Sequence, residues 1–377
     1  MSKYELIATT TFGLEAIVKR ELIDLGFEIT KTDNGKITFL SDELGIVRSN
    51  LWLRCADRVL LKVGEFKVET FDELFNQTFD LNWADLITKT GKITVNGKSV
   101  KSKLFSISDC QAIVKKAIAE KLKKKYDIVW LPETGEEYTV LISILSDVAT
   151  LTIDTSGVAL HKRGYRQNAI EAPLKETLAA ALIMLSYWNP ERTLYDVFCG
   201  SGTIPIEAAM MGRNIAPGLN RDFASKHWEF ISPDIWENEI IRAKSMIKPD
   251  LKLRILASDI DQKSIEAAKL NAIAAGVSDT IEFYQSDFMN IDYSEKYAIL
   301  ISNPPYGERL KEGQRLEDIY TFIDRLVNRL GTWSMYILTS YAGFMRLLKR
   351  KPDKERKLYN GNIETHYFQF YGPRPPR

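Results

Sequence analysis

The chain has 377 residues, 45% hydrophobic and 27% charged, with a formal net charge of +1. That profile belongs to an ordinary globular protein of two or three domains and excludes a chain-wide polyanion binder; no apolar run approaches the length of a membrane span. Cys55, Cys110 and Cys199 are scattered, as are the three histidines, so no metal site or disulfide framework is expected and a reducing cytoplasm is the expected setting.

The first sixty residues read β-α-β-α-β: a strand in "YELIATT", a helix in "GLEAIVKRELIDLG", a strand in "GKITFL", a helix in "DELGIVRSNLWL" and a strand in "RVLLKVGEF". That is a small split-βαβ arrangement. A helix around Phe71–Phe75, the strand "GKITVNGKSV", a basic helix over 109–126 and a strand pair in "YTVLISILSDVATLTIDTS" follow, the pair turning at Ser146–Asp147. From about residue 172 helices and strands alternate. "APLKETLAAALIMLSYW" places Pro173 in a first helical turn. Strands are expected at "TLYDVF", "LRILASD", "TIEFYQSD" and "YAILISN", then near 333–338 and 363–370. Helices are expected at 203–212, 261–275 and 341–349, with a short one near 288–293. This alternation predicts a largely parallel sheet with its ligand at the carboxyl ends of the strands.

Local charge contrasts with the neutral total. Lys98, Lys101, Lys103, Lys115, Lys116, Lys121, Lys123, Lys124 and Lys125 crowd the middle of the front half, and Lys162, Arg163 and Arg166 form a second knot in "HKRGYR". A phosphate-facing surface and a solvated lysine-rich helix face both account for this.

"DVFCGSGT" joins a strand ending near Asp196 to a helix through Gly200 and Gly202, whose missing Cβ atoms let backbone approach a ligand. A dinucleotide site would place a third glycine where Pro205 stands. Asp259, with Asp261 as fallback, suits ribose hydroxyls; Asp287 suits an adenine amine and Phe288 its ring. In "SNPPYG", Asn303 supplies a carbonyl acceptor, Pro304 and Pro305 lose their amide donors and leave carbonyls facing the cleft, and Tyr306 offers a stacking ring. Two acceptors suit an exocyclic amine on a planar ring, whose delocalised lone pair they would turn toward an activated methyl.

The ordered pair "DVFCGSGT" and "NPPYGERL", with "HKRGYR", "APLKETLAAAL" and "LYNGNIE", resembles bacterial class I S-adenosylmethionine-dependent RNA methyltransferases with a THUMP domain. The nearest group makes N2-methylguanosine in large-subunit ribosomal RNA. The resemblance implies an α/β fold: a Rossmann-like class I methyltransferase domain over 159–377, preceded by an α+β module, ferredoxin-like over 1–60 and THUMP over 61–158. It implies a cofactor site of Leu174 (in the helix before the first strand), Asp196, Phe198, Gly200, Ser201, Gly202, Thr203, Asp259, Ile260, Asp261, Asp287, Phe288 and Asn303. The target base would be held by Asn303, Pro304, Pro305 and Tyr306. Structured RNA is the implied partner, ribosomal RNA ahead of tRNA, held by Lys115, Lys116, Lys121, Lys123, Lys124 and Lys125, with Lys162, Arg163 and Arg166 either sharing that role or bracing the two modules. Asn-Pro-Pro-Tyr also serves DNA adenine and protein glutamine methylation, and a catalytically inactive RNA-binding protein is a further alternative. Cys199 is read as packing rather than as a nucleophile.

Overall fold

The structure, a computed structural model, describes residues 4–166, 173–306 and 316–376. The described chain begins β1 (Tyr4–Thr9), α1 (Glu15–Asp24), β2 (Glu28–Asp33), β3 (Lys36–Ser41), α2 (Glu43–Trp52) and β4 (Arg58–Lys67). It continues with α3 (Phe71–Asp80), β5 (Lys92–Val100), α4 (Ile107–Tyr126), β6 (Glu137–Leu145) and β7 (Val148–Asp154). These strands form one sheet in the order β2-β3-β1-β4-β7-β6-β5, antiparallel except for the β5–β6 pair. The expected β6–β7 turn is present, with Ser146 and Asp147 both at positive φ. β2 is the strand that periodicity misses. It is a polar edge strand paired only with β3, so nothing imposes apolar alternation on "EITKTD". β4 runs through residues 60 and 61, so this sheet has no break there.

The second sheet is built from β8 (Leu194–Asp196), β9 (Ile255–Asp259), β10 (Ile281–Gln285), β11 (Ile299–Ser302), β12 (Ser334–Thr339), β13 (Lys354–Asn360) and β14 (Ile363–Phe370). Its order is β10-β9-β8-β11-β12-β14-β13, parallel from β10 to β12 and antiparallel thereafter. The helices after β7 are α5 (Glu176–Met184), α6 (Thr203–Gly212), α7 (Pro233–Ser245), α8 (Gln262–Ala274), α9 (Leu316–Arg329) and α10 (Phe344–Leu347). α5 starts at Glu176, so Pro173 and Leu174 precede the helix rather than opening it. α10 is one turn long, because the chain becomes extended at Leu348. β13, from the charged run "KERKLYN", is a second polar edge strand that the sequence pattern hides. α7 and α9 were not expected, although Leu316, Ile319, Tyr320, Ile323, Leu326 and Val327 have helical spacing. The last five of these are buried, each worth about 1.5–3 kcal/mol of transfer free energy.

By compactness the chain divides into two units that exchange segments. The first holds residues up to Thr10, Lys19–Leu160 and Asp222–Arg242; the second holds Thr11–Val18, His161–Arg221 and residues from Ala243 on. Within the first unit the Trp228 ring stacks on Tyr138 at 5.1 Å, and Arg48 pairs with Glu239 at 3.1 Å. Among the described residues no helix is long and apolar enough to cross a membrane.

Candidate active site

In the second sheet the strand order reverses beside β8: β9 and β10 lie on one side, β11 and β12 on the other. A crevice at the carboxyl ends opens at such a point. Asp196 ends β8 there with 1% exposure. Its Oδ1 accepts from the Ser302 hydroxyl at 2.7 Å and the Phe198 amide at 3.3 Å, while the Ser302 oxygen accepts from the Val197 amide at 3.0 Å. Burial pushes the Asp196 carboxyl up to about 7, against those hydrogen bonds and with some help from the Asp259 charge. Asp196 thus ties β8 to β11 across the reversal point.

The glycine turn follows. Gly200 lies at φ +51°, and a Cβ built there meets nothing within 4 Å, so this backbone faces open space. Gly202, at φ +81°, has a different reason to be glycine: a Cβ would press on Ala268 of α8 at 3.0 Å. The space that a ligand would need is therefore present at Gly200, whereas Gly202 makes room for α8. Ser201 is buried, its carbonyl accepting from Asn271 at 3.1 Å. The Thr203 hydroxyl accepts from Arg166 at 2.8 Å; the same guanidinium donates to the Leu174 carbonyl at 3.0 Å and pairs with Glu176 at 3.3 Å. Leu174 is buried, held in place outside α5 by that bond. Cys199 is buried, which raises its thiol well above the ordinary value and removes it as a nucleophile.

β9 delivers Asp259. Its Oδ2 accepts from the Gly200 amide at 3.0 Å and its Oδ1 from the Asp261 amide at 2.9 Å. Ile260 next to it is 44% exposed, an apolar side chain left at the crevice edge. Asp261 stands at the N-cap position of α8, but its carboxylate accepts from the Ser264 hydroxyl at 3.1 Å rather than from a backbone amide. Asp287 accepts from the Met289 amide at 2.9 Å. Phe288 departs from expectation: its ring is buried between Phe198 at 4.6 Å and Phe322 at 5.1 Å, so no face is left for an adenine.

At the end of β11, Asn303 Oδ1 is buried with no hydrogen-bond partner among the described residues, an arrangement that costs stability unless a ligand answers it. Pro304 is buried. The Pro305 carbonyl does not face the cleft as an open acceptor, because the Tyr320 hydroxyl of α9 donates to it at 3.2 Å. Tyr320 has one proton, so it accepts from Thr339, whose oxygen also accepts from the Tyr341 amide at 3.0 Å. Tyr320 is a positioning residue that the sequence reading missed together with its helix. Tyr306 is 5% exposed and offers no open ring face; stacking on a base requires it to turn outward. Gly307 to Leu310 of "NPPYGERL" lie outside the described residues.

Residues 163–369 match the family described as RMKL-like, methyltransferase domain. The chain belongs to that family. Residues 5–60 match the RlmL ferredoxin-like domain and residues 68–154 the THUMP domain. YpsC of Bacillus subtilis (strain 168), whose name proposes an RNA methyltransferase, is 50% identical over the whole chain and 98% of its own length. The Ribosomal RNA large subunit methyltransferase K/L of Marinomonas sp. (strain MWYL1) is 31% identical over 97% of this chain; the match spans only 52% of that longer protein. A crystal structure of SMU.472, described as a proposed methyltransferase complexed with SAH, superposes with a TM-score of 0.94 at 41% identity, covering both chains fully. A Listeria monocytogenes protein described as a predicted N6-adenine-specific DNA methylase superposes with a TM-score of 0.94 at 47% identity, covering 99% of this chain and 97% of its own.

The RMKL-like chain is thus an S-adenosylmethionine-dependent methyltransferase, and the residues present fit that cofactor. A Cβ at Gly200 would meet nothing within 4 Å, Asp259 stands beside that turn with its Oδ2 on the Gly200 amide, and Ile260 presents apolar surface next to it. The basic residues are placed less uniformly than their spacing suggests. Arg163 is 2% exposed and pairs with Glu207 at 3.5 Å, and Arg166 is engaged at Thr203, Leu174 and Glu176. Of the two readings for this pair, bracing fits Arg163, which is buried on Glu207, and the three partners of Arg166 fit it as well. Lys162 is exposed. On α4, Lys115 pairs with Glu133 at 2.9 Å and Lys123 with Glu120 at 2.6 Å. Lys116 lies over Phe75, and Lys121 and Lys124 lie over Phe79. Lys125 is exposed.

Proposed function

We propose that this protein methylates the exocyclic N2 amine of a guanine in large-subunit ribosomal RNA. The buried, unanswered Asn303 Oδ1 at the end of β11 carries the chemical part of this reading. When bound, S-adenosylmethionine supplies an electrophilic methyl group. Asn303 Oδ1 and the Pro304 carbonyl accept the two N–H groups of the amine and direct its lone pair out of the ring plane. Asp259 receives the ribose hydroxyls, Ile260 lies against the adenine and Asp287 accepts its amine. Asp196, Gly200, Ser201, Gly202 and Thr203 shape the methionine end, with Leu174 closing over it. Tyr320, through Pro305, keeps the acceptor loop in register. The ribosomal target is supported by the name of the Marinomonas relative, and an RNA substrate by the THUMP match and by α4's lysines.

Incubating the purified protein with S-adenosylmethionine and ribosomal RNA from a strain lacking the gene tests this. Nucleoside mass spectrometry should show one new N2-methylguanosine in the large-subunit RNA. Methyl transfer to tRNA alone would move the target, and N6-methyladenine in DNA with unmodified RNA would sink the reading.

A further inference from the structure

α9 has a second face. Arg325 and Arg329 lie one turn apart on its exposed side, and Lys349 comes beside them from the segment after α10. Together with Phe322 and Asp324 they line a cleft of about 530 Å³. Asp324 is 3% exposed, and its Oδ1 accepts from the Lys349 amide at 2.8 Å and the Asn328 side chain at 3.0 Å, leaving three cations to one carboxylate in the cleft. Those bonds fix the cleft floor. Among the described residues no carboxylate forms an ion pair with Arg325, Arg329 or Lys349. On the same helix Tyr320 holds Pro305, and at about 1.5 Å per residue the two arginines lie roughly 8 and 14 Å further along the axis.

We propose that this cleft binds backbone phosphates of the RNA strand flanking the target base. The inference rests on the RNA-methyltransferase reading and adds a phosphate site within the methyltransferase unit itself. Three unpaired cations converging on a concave surface suit a polyanion, and guanidinium forks match phosphate oxygens bidentately. Contacts of this kind hold a strand without reading its sequence.

The full-length protein carrying Arg325→Glu with Arg329→Glu, and a milder Arg325→Gln/Arg329→Gln pair, tests the site against a fluorescein-labelled 20-nucleotide polyuridine strand. Reversal should weaken binding about tenfold at low salt. It should also flatten the plot of log affinity against log salt by about 1.4, the single-strand value for two lost phosphate contacts. The neutral pair should fall between, with cofactor affinity and melting temperature unchanged in both. Wild-type affinity and slope in a folded reversal variant would overturn the proposal. So would saturation of the cleft by inorganic phosphate in calorimetry with polyuridine binding unaffected, which marks a small-anion site. RNA that binds but is never methylated counts against the proposed function instead; RNA methylated and bound without regard to the two arginines counts against this cleft.

Discussion

In the first unit, the charged groups most conspicuous in the sequence are largely engaged by the protein itself. Lys115 and Lys123 face carboxylates, and Lys116, Lys121 and Lys124 rest over phenylalanine rings. In the second unit the conspicuous motif residues leave room: among the described residues Asn303 Oδ1 is buried without a partner, and a Cβ at Gly200 would meet open space. The difference teaches where to look for chemistry. A dense run of charge describes a surface, and many of its members are occupied; a buried polar atom left unanswered describes a missing ligand.

Asn303→Ala tests the contrast most severely. Turnover should fall at least about a hundredfold, the scale for losing an oriented polar contact to a transition state, while calorimetric cofactor affinity stays within about twofold. Normal turnover would mean that the unanswered oxygen has no catalytic meaning.

Asp259→Ala should weaken S-adenosylmethionine binding by roughly 2–3 kcal/mol, the range for hydrogen bonds to a charged group. Part of that loss comes through the Gly200 amide, which loses its acceptor. Unchanged calorimetric affinity would transfer the ribose role to Asp261.

The smallest effects belong to α4. Lys125→Glu, at an exposed lysine, should weaken RNA binding about threefold to tenfold in anisotropy titrations and flatten its salt dependence. Lys115→Glu or Lys123→Glu should do less, since each ammonium already faces a carboxylate. Equal effects at Lys115, Lys123 and Lys125 would erase the distinction between engaged and available charge.

The sequence made most of the parallel sheet and its strand-end acids legible, because buried strands show as apolar runs and the turn chemistry at Gly200–Gly202 is distinctive. β2 and β13 were hidden because an edge strand with a solvated face needs no apolar pattern. Composition leaves RNA contact and internal bracing equally open for Arg163 and Arg166, because it does not show that in "HKRGYR" Lys162 is exposed while Arg163 and Tyr165 are buried. The Phe288 ring was assigned to adenine because its neighbours in the core, Phe198 and Phe322, are far away in sequence. α9 was legible from its spacing and was overlooked beside the louder motif preceding it.

The exchange of segments has a consequence for the order in which the protein forms. During synthesis the front sheet is complete once β7 has emerged, yet its unit still lacks the turn that seats Trp228 on Tyr138 and the helix that brings Glu239 to Arg48. Those residues follow the glycine turn in the chain. The first unit therefore cannot finish as an autonomous N-terminal domain, as most domains do. It must wait, with Tyr138 uncovered, until the first strand and glycine turn of the methyltransferase have already been made.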